Sequence, residues 1–216
     1  MRPLRRLLTA VLLATTLLIP QSADSFNWSG VFARVKESVA QIVSSKGSCT
    51  AFSIDTDRRY YLTAYHCLTD DGMTLWKEAG GPVLKGGLFG PLRILKASRE
   101  LDIAVLEGEL GLPALHRGST PRPGEEVAAI GYAYSESAPY ILSSIVAHVK
   151  QARSFAQTRQ IIIGDRHDIP GSSGGPVVNT RGQVVGMIQA TDRAHDTSVG
   201  TAISDIVKFT RIYWSQ

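Results

Sequence analysis

The chain is a succession of short apolar runs separated by turn residues, with no helical repeat between them. The runs are Ala40–Val43, Cys49–Ile54, Tyr60–Thr63, Arg93–Leu95, Ile103–Leu106, Glu126–Ile130, Ile141–Val149, Gln160–Ile163, Pro176–Val178 and Gln183–Gln189. Short strands at such spacing predict an all-β antiparallel sandwich or barrel. Only the two ends read as helix. Ser29 can cap a short turn carrying Val31, Phe32, Val35 and Val39 on one side, and Ser204 can cap a terminal helix with Ile206, Val207 and Thr210 in register. The stretch 118–124, rich in Pro and Gly, divides the strands into halves of about 34–117 and 125–213. Two small barrels joined there would leave a cleft between them, a usual place for a site. No internal repeat is evident.

The first 25 residues stand apart from this pattern. Arg2, Arg5 and Arg6 precede an apolar run from Leu7 to Ile19, followed by small and polar residues up to Ser25. That is the layout of a signal peptide, with cleavage after Ala23 or Ser25. The run is shorter than the roughly twenty residues a spanning helix needs, so no stable membrane span is expected after cleavage. The expected location is the periplasm or the extracellular space. Cleavage removes three arginines and one aspartate, which lowers the net charge from +4 to about +2. No basic run or aromatic-basic interleaving remains to point to nucleic acid. Oligomeric state has no signature in the sequence.

An exported chain meets oxidising conditions, and this one has two cysteines, Cys49 and Cys67. One disulfide is the economical reading, two buried thiols the alternative. Closing a loop of about twenty residues would stabilise the fold by roughly 3 kcal/mol. Two cysteines without matched histidine spacing do not make a zinc site.

The segment Asp168–Pro176 holds three glycines, two prolines and two adjacent serines in nine residues. Such density allows a tight turn that exposes backbone N–H groups beside a serine. Taken alone, it is equally a surface turn between strands. A serine becomes a nucleophile only when a base takes its proton and a third group orients that base. Among five histidines, His66 stands at the end of an apolar strand beside Cys67, a rigid place for a base. Asp102 leads the apolar run Ile103–Leu106, where a charge needs a partner.

The segments Leu62–Cys67, Asp102–Leu106 and Gly171–Pro176 resemble the His, Asp and Ser motifs of trypsin-like serine proteases, in that family's chain order. Pro123–Gly131 and Gly182–Ile188 resemble bacterial peptidases of the HtrA type, and the likeness runs over roughly residues 34–208. The resemblance implies two six-stranded antiparallel barrels with the site between them, and a Cys49–Cys67 bridge beside the histidine. It implies Ser173 as nucleophile, His66 as general base and Asp102 as its orienting acid, with the N–H groups of Gly171 and Ser173 as oxyanion hole. The strand Met187-Ile188-Gln189-Ala190-Thr191 would bind an extended polypeptide substrate by β-addition. No cofactor or metal is implied.

Several residues depart from the family pattern. Tyr65 replaces the usual small residue before the histidine, and Thr50 and Ala51 stand where glycines are frequent. Ser172 precedes the nucleophile where zymogen-activated trypsins carry aspartate, so activation by a freed N-terminus is not expected. No PDZ domain is expected after the nucleophile. His167 and Asp168 would wall the primary specificity pocket: Asp168 facing inward favours a basic P1 residue, His167 an acidic one. Gly171–Gly175 also satisfies G-x-S-x-G, but an α/β-hydrolase needs a helix after the serine and the order Ser, acid, His. No HExxH-like spacing supports a metal hydrolase. A trypsin-fold binding module without activity is the remaining alternative.

Overall fold

The computed structural model describes residues 26–44, 47–68, 82–83, 92–109, 111–132, 139–151, 159–164, 170–192 and 197–214. Residues 1–25, where a signal peptide is expected, and His167 and Asp168 lie outside these residues. In chain order the elements are α1 (Ser29–Val35), β1 (Val39–Ser44), β2 (Gly47–Asp55), β3 (Tyr60–Thr63), β4 (Pro82–Val83), β5 (Leu92–Ser98) and β6 (Ile103–Gly108). The second half contributes β7 (Glu126–Tyr132), β8 (Pro139–Gln151), β9 (Arg159–Ile163), β10 (Pro176–Asn179), β11 (Val184–Asp192), β12 (Thr197–Ala202) and α2 (Ile203–Thr210). Every pairing between these strands is antiparallel.

The first half is a sheet in the order β4-β1-β2-β3-β6-β5. The second half closes on itself: β7 pairs with both β8 and β10, and the ring runs β10-β11-β12-β9-β8-β7. The expectation of two closed barrels therefore needs correction for the first half. Its outer strands β4 and β5 are not paired with each other among the described residues, and β4 is only two residues long. The expected strands all form, while β4 and β12 were not anticipated. Strand β12, Thr-Ser-Val-Gly-Thr-Ala, is too poor in large apolar residues to read as a strand.

The apolar runs lack alternation because both faces of these strands are covered. On β6, Ala104 and Leu106 join Ile42, Tyr61 and Leu92 inside the first sheet. Their neighbours Ile103 and Val105 face the opposite way, toward Phe52, Leu62, Ile130 and Met187. On β7, Val127 and Ala129 fill the second barrel with Ile161, Val177 and Ile188, whereas Ala128 and Ile130 face the first half. The period-2 geometry of a strand thus serves a barrel interior on one side and a shared core between the halves on the other.

That shared core also takes in both ends of the chain. Trp28, Val31 and Val35 of the N-terminal segment, and Ile206, Phe209 and Trp214 of the C-terminal one, are buried in it. Lys96 on β5 donates to the carbonyl of Phe209 at 2.9 Å and lies 4.3 Å from that ring's centroid. The cation thus meets the negative end of α2 and an aromatic face together. The Trp214 indole donates to Leu115 O, and Leu115 N–H donates to Ser53 O, so the connection between halves is fastened to β2 and to the C-terminus. Both expected caps need correction. Asn27 Oδ1, not Ser29, accepts at the start of α1, receiving the Ser29 N–H at 3.0 Å. Ser204 lies inside α2 with Ala202 as the capping residue, because β12 runs directly into the helix.

Cys49 on β2 and Cys67 are joined in a disulfide, with Cα atoms 5.9 Å apart and a sequence separation of 18. Replacing both cysteines with serine should lower the unfolding free energy by about 3 kcal/mol. Urea unfolding of the double variant against the oxidised protein measures it; a loss below about 1 kcal/mol would show that the bridge does not constrain the unfolded chain.

Candidate active site

Strands β3 and β6 are antiparallel neighbours with Thr63 opposite Ala104, so the end of one lies beside the start of the other. His66 sits in the 3₁₀ turn Tyr65–Leu68 that follows β3, and Asp102 immediately precedes β6. Elementary sheet topology thus brings together two residues 36 positions apart. Asp102 holds His66 at two points: Oδ2 lies 2.8 Å from Nδ1, and Oδ1 accepts the backbone N–H at 2.8 Å. A carboxylate only accepts, so the imidazole proton resides on Nδ1 and Nε2 is left as the basic nitrogen.

Asp102 has φ +51, one of two non-glycine residues with positive φ among those described. Aspartate tolerates this region better than most residues, at a cost of about 1–2 kcal/mol. A tight turn from Arg99 O to Asp102 N–H produces it, with Ser98 Oγ accepting the N–H of Leu101. The imidazole is 41% exposed and the carboxylate side chain 25%, so the pair is open to a ligand on one side. Tyr65, the bulky residue before His66, is buried rather than intruding on that side.

Ser173 lies on the turn between Pro170 and Pro176, and this turn is wedged between the halves. Thr50 N–H donates to Ser173 O at 2.8 Å, and Thr50 Oγ1 donates to Gly171 O at 2.7 Å. Gly174 N–H donates to Ile188 O, and Gly175 N–H to Ser172 O. Among the described residues, the N–H groups of Gly171 and Ser173 donate to no protein acceptor. Gly171 has φ +106, a conformation that favours glycine. Gly174 is required for space as well: a Cβ there would lie 2.3 Å from Thr50 O and 2.4 Å from Thr63 Oγ1.

The hydroxyl of Ser173 donates to Gln189 O at 3.3 Å. Gln189 is the extra residue of a β-bulge, since β11 and β12 pair at Ile188–Gly200 and then at Ala190–Val199. The bulge turns its side chain across to the first half, where Nε2 donates to Leu101 O at 2.8 Å, next to Asp102. Gln189 therefore touches the serine with its backbone and the aspartate's turn with its side chain. Sequence reasoning placed this residue on a substrate strand and missed the bridge; a bulge leaves no mark in an apolar run.

The other strand residues behave differently. Met187 and Ile188 bury their side chains in the shared core and in the second barrel. The N–H and C=O of Ile188 are bonded to Gly175 and Gly174. Strand β10 reaches β11 only over Val184–Met187, so from Gln189 through Ala190 to Thr191 that edge of β11 pairs with no strand among the described residues. Sγ of Cys49 and Cys67 lies within 4.8 Å of a His66 ring nitrogen, but both sulfurs are joined to each other rather than present as thiolates. Tyr132, at the end of β7, passes its N–H to Thr50 Oγ1. Burial, and secondarily the Glu37 carboxylate, raise its phenol above the usual range, so it stays neutral here.

The family described as trypsin-like peptidase domain matches residues 49–187. Protease Do-like 2, chloroplastic, of Arabidopsis thaliana is 26% identical over 155 residues, which make up 68% of this chain. The matched part is 24% of that relative's own length. Among solved structures, the active form of the Rv3671c protease of M. tuberculosis superposes with a TM-score of 0.71 at 16% identity, covering 86% of this chain and 85% of that one. The serine endoprotease of Yersinia pestis gives 0.69 at 18% identity, with 86% and 65% covered.

Gly174→Ala should cost on the order of 3 kcal/mol or more, because a backbone oxygen and a buried hydroxyl must both move. Denaturant unfolding reads this directly, and a loss under 1 kcal/mol would mean the turn is not wedged as described.

Proposed function

The chain belongs to the trypsin-like peptidase domain family; from that premise we propose that it is an exported serine endopeptidase that cleaves polypeptides through His66, Asp102 and Ser173. The observation that carries the proposal is the two-point hold of Asp102 on His66. It gives Nε2 as a base of fixed tautomer, and His66 is next in sequence to Cys67, whose Sγ lies 3.7 Å from Ser173 O. Ser173 Oγ attacks the scissile carbonyl carbon while its proton passes to Nε2. The same proton goes to the leaving amine, and water then hydrolyses the acyl-enzyme by the reverse sequence. Asp102 stabilises the imidazolium throughout and keeps its own charge.

The unengaged amides of Gly171 and Ser173 are the donors proposed for the oxyanion, each worth on the order of 3 kcal/mol. A substrate in extended conformation would add to the edge of β11 at Gln189–Thr191. His167 and Asp168 are proposed as the walls of the P1 pocket, with a basic P1 residue ranked ahead of an acidic one. The proposed organisation is a signal peptide over 1–25, a first half over about 34–117, and a second over about 125–213. No activation cleavage beyond signal removal is proposed. Ser172 is buried beside the nucleophile and its uncharged side chain offers no ion pair to a new N-terminus.

A second reading, a trypsin-fold binding module with little activity, draws on one observation. The Ser173 hydroxyl donates to the Gln189 carbonyl, and its single proton must leave that acceptor before it can pass to the imidazole. A fluorophosphonate probe decides between the two. Labelling at Ser173, lost in Ser173→Ala and in His66→Ala, is the expected result; a folded protein that takes no label is a binder. Asp102→Asn should keep the fold and lower kcat by on the order of 10⁴-fold, because the neutral amide no longer enforces the tautomer. A loss below tenfold, measured on any polypeptide the wild type cleaves, would remove Asp102 from the mechanism.

A further inference from the structure

The serine turn is held by a chain of carbonyls, and each carbonyl has its own donor. Gly171 O receives Thr50 Oγ1–H, Ser172 O receives Gly175 N–H, and Ser173 O receives Thr50 N–H. Three successive peptide planes, from Gly171 to Gly174, are thereby fixed at their oxygens. Two of the three donors come from one residue of the opposite half, and one of those two is a side chain. The first plane is the weakest of the three by its own chemistry. It begins at a glycine of positive φ, so rotation about that residue meets little steric resistance.

The orientation of the Thr50 hydroxyl is fixed by the bonds around it. Tyr132 N–H donates to Oγ1 at 3.0 Å, which makes the oxygen an acceptor there and leaves its single proton for Gly171 O. Thr50 is fully buried, and its carbonyl accepts from Thr63 Oγ1 at 2.7 Å. Every polar group of Thr50 is therefore bonded. Gly131 leaves the space this needs: a Cβ on it would lie 3.0 Å from Thr50 Oγ1 and 3.2 Å from Ser172 Cα.

We infer that Thr50 is a positioning residue for the oxyanion hole: its hydroxyl locks the Gly171–Ser172 peptide so that the amides of Gly171 and Ser173 converge on one point. The inference rests on the reading of Ser173 as nucleophile with those two amides as donors. Without the hydroxyl, the buried Gly171 carbonyl has no donor and the plane turns to find one. That plane lies between the two donor amides and carries neither, so its turning changes the direction of Gly171 N–H relative to Ser173 N–H, while the triad and the substrate edge of β11 stay where they are. The loss falls on transition-state stabilisation and not on ground-state binding.

The test compares wild type with Thr50→Val, Thr50→Ala and Thr50→Ser in single-turnover acylation by p-nitrophenyl acetate, with Ser173→Ala as blank. The first-order acylation constant does not depend on the fraction of protein folded, so a destabilised variant still reports. Removing a whole oxyanion donor costs roughly 10²–10³-fold, and loosening one should cost less. The valine and alanine variants should acylate roughly 10- to 100-fold more slowly at saturation with a half-saturating ester concentration within about twofold of wild type. The serine variant, which keeps the hydroxyl, should stay within about threefold. The inference is overturned if valine and alanine variants acylate at the wild-type rate. It is overturned equally if serine loses as much as they do, or if the loss lies in the half-saturating concentration. A wild type that releases no more nitrophenol than Ser173→Ala overturns the proposed function and, with it, this inference.

Discussion

Thr50 and the turn around Ser173 meet across the junction of the two halves, and the rest of the structure depends on that meeting. A residue of β2 donates twice to the carbonyls of a turn 121 positions away in sequence. The contact is possible only because Gly131 and Gly174 withhold side chains from it. It also sets a direction: with the carbonyls of Gly171 and Ser173 drawn toward the first half, the amides of those two residues are left outside that bonding. Catalytic groups of this family act through placement within a fraction of an ångström, and placement of this kind comes from buried, fully bonded polar groups.

Around that contact the two sheets share one core. Ile103, Val105, Ala128, Ile130 and Met187 pack together between the halves, and Trp28 and Trp214 belong to the same core. Burial on both faces opposes sliding of the half that carries His66 and Asp102 past the half that carries Ser173. The strands that carry the site are the ones buried twice. Stability and function therefore draw on the same residues, and a change in the shared core is expected to be felt at the site.

The same double burial explains what the sequence disclosed. Continuous apolar runs marked β6, β7 and β9 clearly, and the glycine-dense turn and the charge leading β6 stood out against them. Strand β12 did not, because Gly200 must pass within van der Waals distance of Met187 and its neighbours are small or polar. The caps misled for a local reason: Ser29 and Ser204 are common cap residues, but Asn27 was two positions earlier and β12 ran straight into α2. At the site, the His66–Asp102 pairing was legible from motif order. The bridging role of Gln189 was not, since a bulge is a matter of register between strands and register is not written in one strand. Thr50 registered only as a residue out of place, and its bonds explain why a hydroxyl stands there.

The central claim is that these two halves assemble a working peptidase centre on Ser173. The most direct measurement incubates a denatured protein mixture with the wild-type protein and, separately, with Ser173→Ala, and identifies new N-termini by mass spectrometry. The expected result is a set of new termini that appears with the wild type and is absent with the variant. Identical terminus profiles for the two proteins would contradict the account.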